Sequence, residues 1–391
     1  MKKVVLAYSG GLDTTCCIKW LKEEGFKVIC FSADLGGEFH PSDLEKRAIR
    51  SGAEKIYIKD LKKEFAYGYI LPSLKASSLY EKKYVLSTAL GRPLIAKYLV
   101  EIAKKEKAKF VAHGCTGKGN DQVRFEVSIS ILNPKLKIVA PLREWELTCR
   151  QEEIAYAKKH KLPIKTTKEK IYSIDANIWG ISIEGGRLED VEQEPPNNSY
   201  YLTKVLKEAE DKEFYVEIEF EKGTPIKLNG KKMGLVKLIE KLNFLGTKAG
   251  VGRTDLIEDR LIGIKSREVY EAPAAWILYT VHQELENLTL DREVLFFKEL
   301  VAQKYAQLIY QGLWFTHLKK CLDEFVEATQ KNVSGKIVLK LYKGNIVVVK
   351  RKSLYSLYKK EIATYGEKDK FDHRLAEGFI KIWGLPYKYK N

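Results

Sequence analysis

Several residue types and patterns that mark common protein classes are scarce or absent in this sequence. Its 391 residues include six cysteines, six histidines and two methionines, and neither Cys-x-x-Cys nor His-Glu-x-x-His occurs. So few cysteines exclude a disulfide framework, and the missing spacings exclude the common zinc motifs. No apolar run approaches the ~18–20 residues that a membrane-spanning helix needs. We therefore expect a cytoplasmic protein with no bound metal cluster and no membrane partner.

The net charge is +16, from 68 Lys and Arg against 52 Asp and Glu. The lysines are spread along the chain and often stand beside glutamates, as in Lys22-Glu23-Glu24. A nucleic-acid surface would instead concentrate them in a basic block interleaved with aromatic residues. We interpret the excess as the solvated surface of a protein with anionic small-molecule substrates, and expect no nucleic-acid partner.

Strand and helix patterns alternate over the first ~165 residues, which predicts a parallel sheet with helices on both faces. The expected strands cover Lys2–Tyr8, Lys27–Ala33, Lys55–Ile58 and Phe110–His113. The expected helices are Thr14–Glu24, one opened by a capping box from Ser42 to Glu45, and one from Pro93 to about Glu106. Ligands of such sheets bind beyond the carboxyl ends of the strands.

The pattern changes near Thr166. Alternation over Tyr215–Phe220 and the turn dipeptide Asn229-Gly230 are typical of antiparallel strands. A second hairpin is expected over Gly335–Lys352, turning at Gly344-Asn345. Helices are expected over Pro273–Leu288, Asp291–Tyr310 and Leu318–Gln330, and again in the last 30 residues.

The segment from Ala7 to Thr15, which we call the first glycine loop, joins a strand pattern to a helix pattern. Gly10 and Gly11 allow backbone N–H groups to approach a ligand without an intervening Cβ atom, and Ser9 and the two threonines add hydroxyls. Together with the N–H groups of a helix N-terminus, they favour a phosphate or pyrophosphate site. The spacing fits neither a Walker loop, which needs Gly-Lys-Ser/Thr, nor a dinucleotide fingerprint, which needs a third glycine.

A second glycine loop, Gly114–Gly119, follows the expected strand that ends at His113. The polar residues Asn120, Asp121 and Arg124 stand directly after it, where a helix is expected to begin. An amide donates and accepts hydrogen bonds, a carboxylate binds ammonium groups, and a guanidinium binds carboxylates in a bidentate manner. This mixture favours a zwitterionic amino acid over a sugar or a lipid as ligand.

The two loops together resemble the argininosuccinate synthase family, within the larger group of N-type ATP pyrophosphatases. The first loop resembles the pyrophosphate-binding loop of the whole group. The run Gly-Lys-Gly-Asn-Asp-Gln-Val-Arg-Phe-Glu, from Gly117 to Glu126, resembles this family alone. Further matches include Tyr-Ser-Ile-Asp around Ser173 and Gly-Ile-Ser-Ile-Glu around Ser182, so the resemblance covers essentially the whole chain.

The resemblance implies an α/β fold in which a parallel, doubly wound nucleotide-binding sheet is followed by an α+β synthetase domain. The expected boundaries are 1–165 for an ATP-pyrophosphatase-type domain, 166–360 for the synthetase domain, and 361–391 for a helical oligomerisation tail. The implied assembly is a homotetramer with exchanged tails.

The implied activity is the ATP-dependent condensation of citrulline with aspartate to argininosuccinate, AMP and pyrophosphate, through a citrullyl-adenylate. ATP implies Mg²⁺ held largely by the phosphates, and no prosthetic group is expected. The implied ATP-binding residues are Ala7, Tyr8, Ser9, Gly10, Gly11, Leu12, Asp13, Thr14, Thr15, Ala33 and Gly114. The implied aspartate-binding residues are Thr116, Asn120 and Asp121. The implied citrulline-binding residues are Tyr84, Thr88, Asn120, Arg124, Ser173, Ser182, Glu258 and Tyr270.

The chain departs from the family pattern at four positions of these motifs. Thr15 replaces a usual Ser and keeps the hydroxyl, while Gly37 replaces a usual Gln and Cys115 a usual Ala. Ala89 stands where the family has Ser, which removes a side-chain contact to citrulline. Thr88 is therefore our expected substitute, and none of the four changes removes a charge from the site.

Two other functions share part of this pattern. An ATP pyrophosphatase that activates a tRNA base for thiolation would share the first loop and suit the net charge. It would also need reactive cysteines in an exposed basic cleft, for which Cys115 is the one candidate, since Cys16 and Cys17 are expected in the core. A non-catalytic nucleotide sensor would keep the phosphate cradle without the cluster of Asn120, Asp121 and Arg124.

Overall fold

The computed structural model describes residues 2–147, 149–164 and 172–389. Its strands are β1 Lys2–Ala7, β2 Phe26–Asp34, β3 Lys55–Asp60, β4 Phe110–Ala112, β5 Lys137–Val139, β6 Ser173–Asn177, β7 Gly180–Glu184, β8 Phe214–Glu221, β9 Thr224–Leu228, β10 Lys231–Lys232, β11 Arg253–Asp259, β12 Lys265–Glu271, β13 Gly335–Tyr342 and β14 Asn345–Lys352. Its α-helices are α1 Leu12–Glu23, α2 Pro41–Ser51, α3 Lys62–Phe65, α4 Leu71–Lys75, α5 Ser87–Lys105, α6 Asn120–Leu132, α7 Pro141–Glu144, α8 Arg150–Lys159, α9 Leu235–Lys248, α10 Pro273–Thr289, α11 Arg292–Tyr310, α12 His317–Thr329, α13 Lys360–Ala363, α14 Leu375–Trp383 and α15 Leu385–Lys388. A π-helical turn, Ala66–Ile70, joins α3 to α4.

The first sheet is five-stranded and parallel, in the order β3-β2-β1-β4-β5. Its central strand β1 buries Val4, Val5 and Leu6 completely, as expected for a parallel strand covered on both faces. Helix α1 packs on one face through Ile18 and Leu21, while α5 packs on the other. The predicted doubly wound α/β sheet is therefore confirmed.

Two antiparallel sheets follow, in the orders β10-β9-β8-β13-β14 and β11-β12-β7-β6. Asn229 and Gly230 form the predicted tight turn between β9 and β10, both with positive φ. Helices α10, α11 and α12 lie within one or two residues of their predicted bounds. Asp291 precedes α11 as its N-cap and accepts a hydrogen bond from the Val294 N–H. Among the described residues, no helix is long and apolar enough to cross a membrane.

Three local predictions were wrong. Helix α5 begins at Ser87 and not at Pro93, which lies inside it. The reason is that the buried Tyr84 hydroxyl accepts the N–H groups of Thr88 and Ala89 at 3.1 and 3.3 Å and so caps the first turn.

Helix α2 begins at Pro41 with His40 as N-cap, and no side-chain hydrogen bond of the expected capping box forms there. Proline suits this first helical position because its missing N–H would have had no partner there. The later hairpin turns one residue early, at Lys343-Gly344, because both of those residues adopt positive φ.

The parallel sheet and the four-stranded antiparallel sheet meet at the ends of their strands. The Ile178 N–H donates to the Leu35 carbonyl at 2.9 Å. Gly36 has φ +96°, and a Cβ atom there would lie 2.1 Å from the Ile178 side chain, so glycine permits this approach. The expected boundary between residues 165 and 166 lies at the edge of segment 165–171, outside the described residues, and remains a prediction.

Candidate active site

The first glycine loop turns the chain from the buried strand β1 into helix α1. Gly10 adopts φ +76°, and Gly11 is the extended N-cap of the helix. The Ser9 hydroxyl accepts the Gly11 N–H at 3.2 Å and lies 3.1 Å from the Thr14 hydroxyl. The loop thus presents hydroxyls and helix N–H groups at the carboxyl edge of the sheet, as an anion site requires.

The rear of this loop is held by its neighbours. The Tyr8 N–H donates to the Phe31 carbonyl at 2.8 Å, and the Ser32 hydroxyl donates to the Tyr8 carbonyl. Arg47 donates to the Gly10 carbonyl from α2. Ala33, the expected adenosine contact, is the next residue of β2 and is half-buried beside the loop. These bonds fix the Tyr8 and Gly10 carbonyls from behind and so hold the loop in its turn.

The second glycine loop packs directly against the first. A Cβ atom on Gly114 would lie 2.8 Å from the Thr14 side chain, so only glycine allows this contact without displacement. His113, just before the loop, accepts the Cys115 N–H on Nδ1 at 3.3 Å, and its Nε2 lies 3.1 Å from Glu126. The two loops, predicted separately from sequence, therefore line one site.

At the start of α6, Asp121 bridges two arginines. Its Oδ1 accepts from Arg124 Nη1 at 2.7 Å, and its Oδ2 accepts from Arg92 Nε at 2.8 Å. Burial alone raises the pKa of the Asp121 carboxyl, but the guanidiniums of Arg92 and then Arg124 outweigh it and lower the pKa to about 2. Arg92 also pairs with Asp175 on β6. Asp121 is therefore ionised at neutral pH and is a poor proton acceptor.

A carboxylate from the second half of the chain faces this cluster. Glu258 is 3% exposed and accepts from the Tyr270 hydroxyl at 2.6 Å and from the Tyr310 hydroxyl at 2.7 Å. Asn120 donates to the same Tyr310 oxygen at 2.7 Å. Among the described residues, no cation lies within ion-pair distance of Glu258, so this buried carboxylate suits a cationic group of a ligand.

Two stacked tyrosine pairs connect the first half of the chain to the second. The ring centroids of Tyr84 and Tyr270 are 4.0 Å apart, and those of Tyr80 and Tyr310 are 3.6 Å apart. The Thr88 hydroxyl donates to the Ser182 hydroxyl at 3.1 Å. Ser182 pairs in register with Tyr270 on one side and with Asp175 on the other. Apart from Ser173, the residues expected to bind citrulline are thus neighbours in space, although they come from distant parts of the sequence.

Two expected residues stand further from this cluster. Ser173 is exposed on β6, opposite Glu184 in the register, and Thr116 is exposed in the second glycine loop. Sequence reasoning missed Arg92 and Tyr310, which hydrogen-bond to Asp121 and Asn120. It also missed residues that contact these two or the second glycine loop: Tyr80 stacks on Tyr310, Asp175 pairs with Arg92, and Arg260, held by Glu268, donates to the Lys118 carbonyl. No local motif marks these residues, since most of them acquire their role from a partner far away in the chain.

The cysteines do not supply reactive thiols near the site. Cys16 and Cys17 are fully buried, and burial raises the pKa of the Cys16 thiol to about 12. Burial also raises the pKa of the Cys115 thiol, in the second glycine loop. A nucleophilic cysteine requires a lowered pKa. These three residues therefore lack the property that a thiolation enzyme needs.

Two family models match the chain: "Arginosuccinate synthase N-terminal HUP domain" over residues 3–163, and "Arginosuccinate synthase C-terminal domain" over residues 172–390. Curated relatives named argininosuccinate synthase are similar over its full length. The protein from Caldanaerobacter subterraneus subsp. tengcongensis is 55% identical over 390 residues, which cover 100% of this chain and 95% of the relative. The protein from Carboxydothermus hydrogenoformans is 54% identical, with 100% and 97% covered. The protein from Thermoanaerobacter sp. is 55% identical, with 100% and 95% covered.

Proposed function

Because the chain belongs to the argininosuccinate synthase family, we propose that it joins L-citrulline to L-aspartate at the expense of ATP, as a ligase of arginine biosynthesis. AMP and pyrophosphate are the proposed by-products, and a citrullyl-adenylate is the intermediate. The observation that carries this proposal is the contact between the two glycine loops at Gly114 and Thr14. It sets a phosphate cradle beside a cluster of charged side chains that suits amino acids.

ATP binds along the carboxyl edge of the parallel sheet, with its phosphates on Ser9–Thr15 and its adenosine near Ala33 and Gly114. The helix N–H groups and hydroxyls of the first loop would stabilise the charge that develops on the departing pyrophosphate. Among the described residues, no group of three or more His, Cys, Asp or Glu side chains is placed to hold a metal. Such a site fits Mg²⁺ that arrives with the phosphates, where the ion would offset their charge.

Citrulline binds between the domains, between Arg124 and Glu258. The buried Glu258 carboxylate, already oriented by two tyrosine hydroxyls, receives the α-amino group. Arg124 receives the α-carboxylate, because its planar guanidinium suits bidentate pairing. Thr88, Ser182 and Tyr84 complete the contacts along the side chain, and Ser173 joins them at the outer end.

Aspartate binds at the second glycine loop through Thr116, Asn120 and Asp121. Asp121 faces the α-amino group as a fixed negative charge rather than as a base, since its pKa is about 2. The amine therefore loses its proton to another acceptor, such as solvent or the leaving phosphate oxygen. The role of Asp121 is to orient the nucleophile.

The chemistry proceeds in two displacements. The ureido oxygen of citrulline attacks the α-phosphorus of ATP, so that an O–P bond forms while the bond to pyrophosphate breaks. The aspartate amine then attacks the ureido carbon, a C–N bond forms, and the former ureido oxygen leaves with AMP. Neither step requires a covalent enzyme intermediate, so binding geometry and electrostatics carry the catalysis.

We further propose a cytoplasmic homotetramer assembled through the C-terminal tail. None of the described residues after Lys352 is buried, and α14 exposes Leu375, Phe379, Ile382 and Trp383 by 60–70%. A nine-residue helix is unstable alone in water. Its apolar side chains therefore gain stability by docking on a neighbouring copy.

The proposed function is tested by omitting one substrate at a time and resolving the nucleotide products. AMP and pyrophosphate should form only when citrulline is present, and argininosuccinate only when aspartate is present as well. ADP and orthophosphate as main products would refute the pyrophosphate-cradle assignment. AMP formation that depends on tRNA instead of citrulline would favour the thiolation enzyme.

A further inference from the structure

One arginine outside the expected binding set connects the two halves of the site. Arg260 opens the turn between β11 and β12, and its backbone N–H donates to the Ile264 carbonyl at 2.9 Å. Its side chain is 13% exposed and points to the second glycine loop, where Nη1 donates to the Lys118 carbonyl at 3.2 Å. The next residue, Leu261, donates its N–H to the Asn120 side-chain oxygen at 2.9 Å. Two successive turn residues thus hold the loop at Lys118 and the start of α6 at Asn120.

The Arg260 guanidinium is itself anchored by two acidic side chains. Its Nη2 donates to Glu268 Oε1 at 2.6 Å and also pairs with Glu184. The Ser266 hydroxyl donates to the same Glu268 oxygen at 2.7 Å. With Glu184 on β7 and Glu268 on β12, the guanidinium is fixed by two neighbouring strands. Lysine, with a single ammonium group, would not reproduce these simultaneous hydrogen bonds to the loop carbonyl and to both acidic side chains.

The second glycine loop needs such an external support. Thr116, Gly117 and Lys118 are exposed, and the loop's own bonds are few. Gly119 N–H donates to the Thr116 carbonyl at 3.2 Å, and Gln122 donates to the Gly117 carbonyl at 2.6 Å from α6. These bonds attach the loop to its own domain, whereas Arg260 and Leu261 attach it to the other one.

We propose that Arg260 is a positioning residue that fixes the second glycine loop over the aspartate subsite by holding the Lys118 carbonyl. This inference rests on the proposed assignment of Thr116, Asn120 and Asp121 to aspartate. Arg260 acts through the loop backbone and touches no reacting atom. Its loss should therefore loosen the loop in the free enzyme and weaken aspartate binding, while citrulline adenylation continues.

The test compares Arg260→Lys with Arg267→Lys. Arg267 is a matched control, because it pairs with Asp255 at 2.7 Å in the same hairpin and donates to the backbone carbonyls of Asp190 and Gln193. It makes the same kinds of contact without reaching the second glycine loop. If the single change prevents folding, a double variant, Arg260→Met with Glu268→Gln, removes the guanidinium together with the acidic character of one of its two partners.

Two kinds of measurement are made on each variant. The first is hydrogen exchange of peptides covering residues 114–120 in the absence of substrates, and the second is enzyme kinetics, both at steady state and as pyrophosphate–ATP exchange. Arg260→Lys should speed exchange of the loop about tenfold, the effect of one hydrogen bond to a charged group, and raise KM for aspartate by a similar factor. Pyrophosphate–ATP exchange without aspartate should stay within twofold of the unsubstituted enzyme. Arg267→Lys should change neither loop exchange nor KM.

Hydrogen exchange of the loop that stays within twofold of the unsubstituted enzyme in both Arg260 variants would overturn the proposal, even if the melting temperature falls. That pattern describes a purely structural ion pair. Faster exchange with an unchanged KM for aspartate would also overturn it, since the loop would not serve that subsite. If the unsubstituted enzyme shows no aspartate-dependent turnover, the proposed function fails, while the exchange data still decide whether Arg260 holds the loop.

Discussion

The sharpest consequence of the site geometry concerns Asp121, which is replaced most informatively by Asn. Both carboxylate oxygens are engaged, Oδ1 by Arg124 at 2.7 Å and Oδ2 by Arg92 at 2.8 Å. Alanine would leave two largely buried guanidiniums without their shared partner and would disturb Arg124, an expected citrulline residue. Asparagine keeps the size of the side chain and one oxygen acceptor, while it removes the charge and replaces the other oxygen with an NH2 group. It therefore disturbs the two arginines less than alanine does and separates the aspartate role better from general disruption.

The expected cost is that of a charge-assisted hydrogen bond, about 1.5–3 kcal/mol, or roughly 10- to 150-fold in the aspartate-dependent step. The assay follows two signals: citrulline-dependent exchange of pyrophosphate into ATP without aspartate, and full turnover with it. Asp121→Asn should retain near-normal exchange and lose most turnover.

The reasoning would be refuted if exchange fell as far as turnover in Asp121→Asn. Asp121 would then support the adenylation step or the fold of the site. The pH dependence gives an independent check. With a pKa of about 2, below its ordinary 3.8, the carboxylate contributes stability that is complete above pH 3.8 and is lost as the pH falls toward 2. A change of the turnover rate with pH between pH 5 and 9 therefore cannot arise from the titration of Asp121.

Three further predictions follow from single contacts. Tyr310→Phe removes the hydroxyl between Asn120 and Glu258 and should raise KM for citrulline about tenfold. Tyr305→Phe is its control, because that hydroxyl binds Asp323 outside the site. Burial and neighbouring carboxylates raise the pKa of Glu268 from 4.5 to about 8. The free energy of unfolding should therefore fall as the pH rises between those values, by up to about 1.4 kcal/mol per pH unit. Denaturant titrations should show a flatter pH dependence in Glu268→Gln. Deleting residues 361–391 should reduce the number of copies in the assembly, as measured by light scattering. An unchanged number of copies would contradict assembly through the tail.

The parallel sheet and both glycine loops were predictable because their signals are local. A buried strand such as β1, a glycine turn and an amphipathic helix each show in a few consecutive residues. The start of α5 was not predictable in this way, since its first turn is capped by the hydroxyl of Tyr84, a residue outside the helix. Pro93 fits a helix start better by propensity, but the side chain of Tyr84 caps the helix six residues earlier.

The partners of the site residues were hidden because they lie far from them in the sequence. Tyr310 is the last residue of α11 and reads as part of its apolar face, yet its hydroxyl joins Asn120 to Glu258. Arg260 stands in a hairpin turn, where an arginine is ordinarily solvated, and becomes nearly buried only because Glu184 and Glu268 meet it from adjacent strands. Three of these contacts join residues that are 52, 76 and 190 positions apart, which no local pattern carries.

The most direct test of the account labels the ureido oxygen of citrulline with oxygen-18 and analyses the AMP by mass spectrometry. If citrulline is activated as an adenylate, its oxygen leaves on the phosphate, so the label should appear in AMP in equal amount to the argininosuccinate formed. If argininosuccinate accumulates while the AMP carries no label, the citrullyl-adenylate is contradicted. The placement of citrulline beside the first glycine loop would then be contradicted as well.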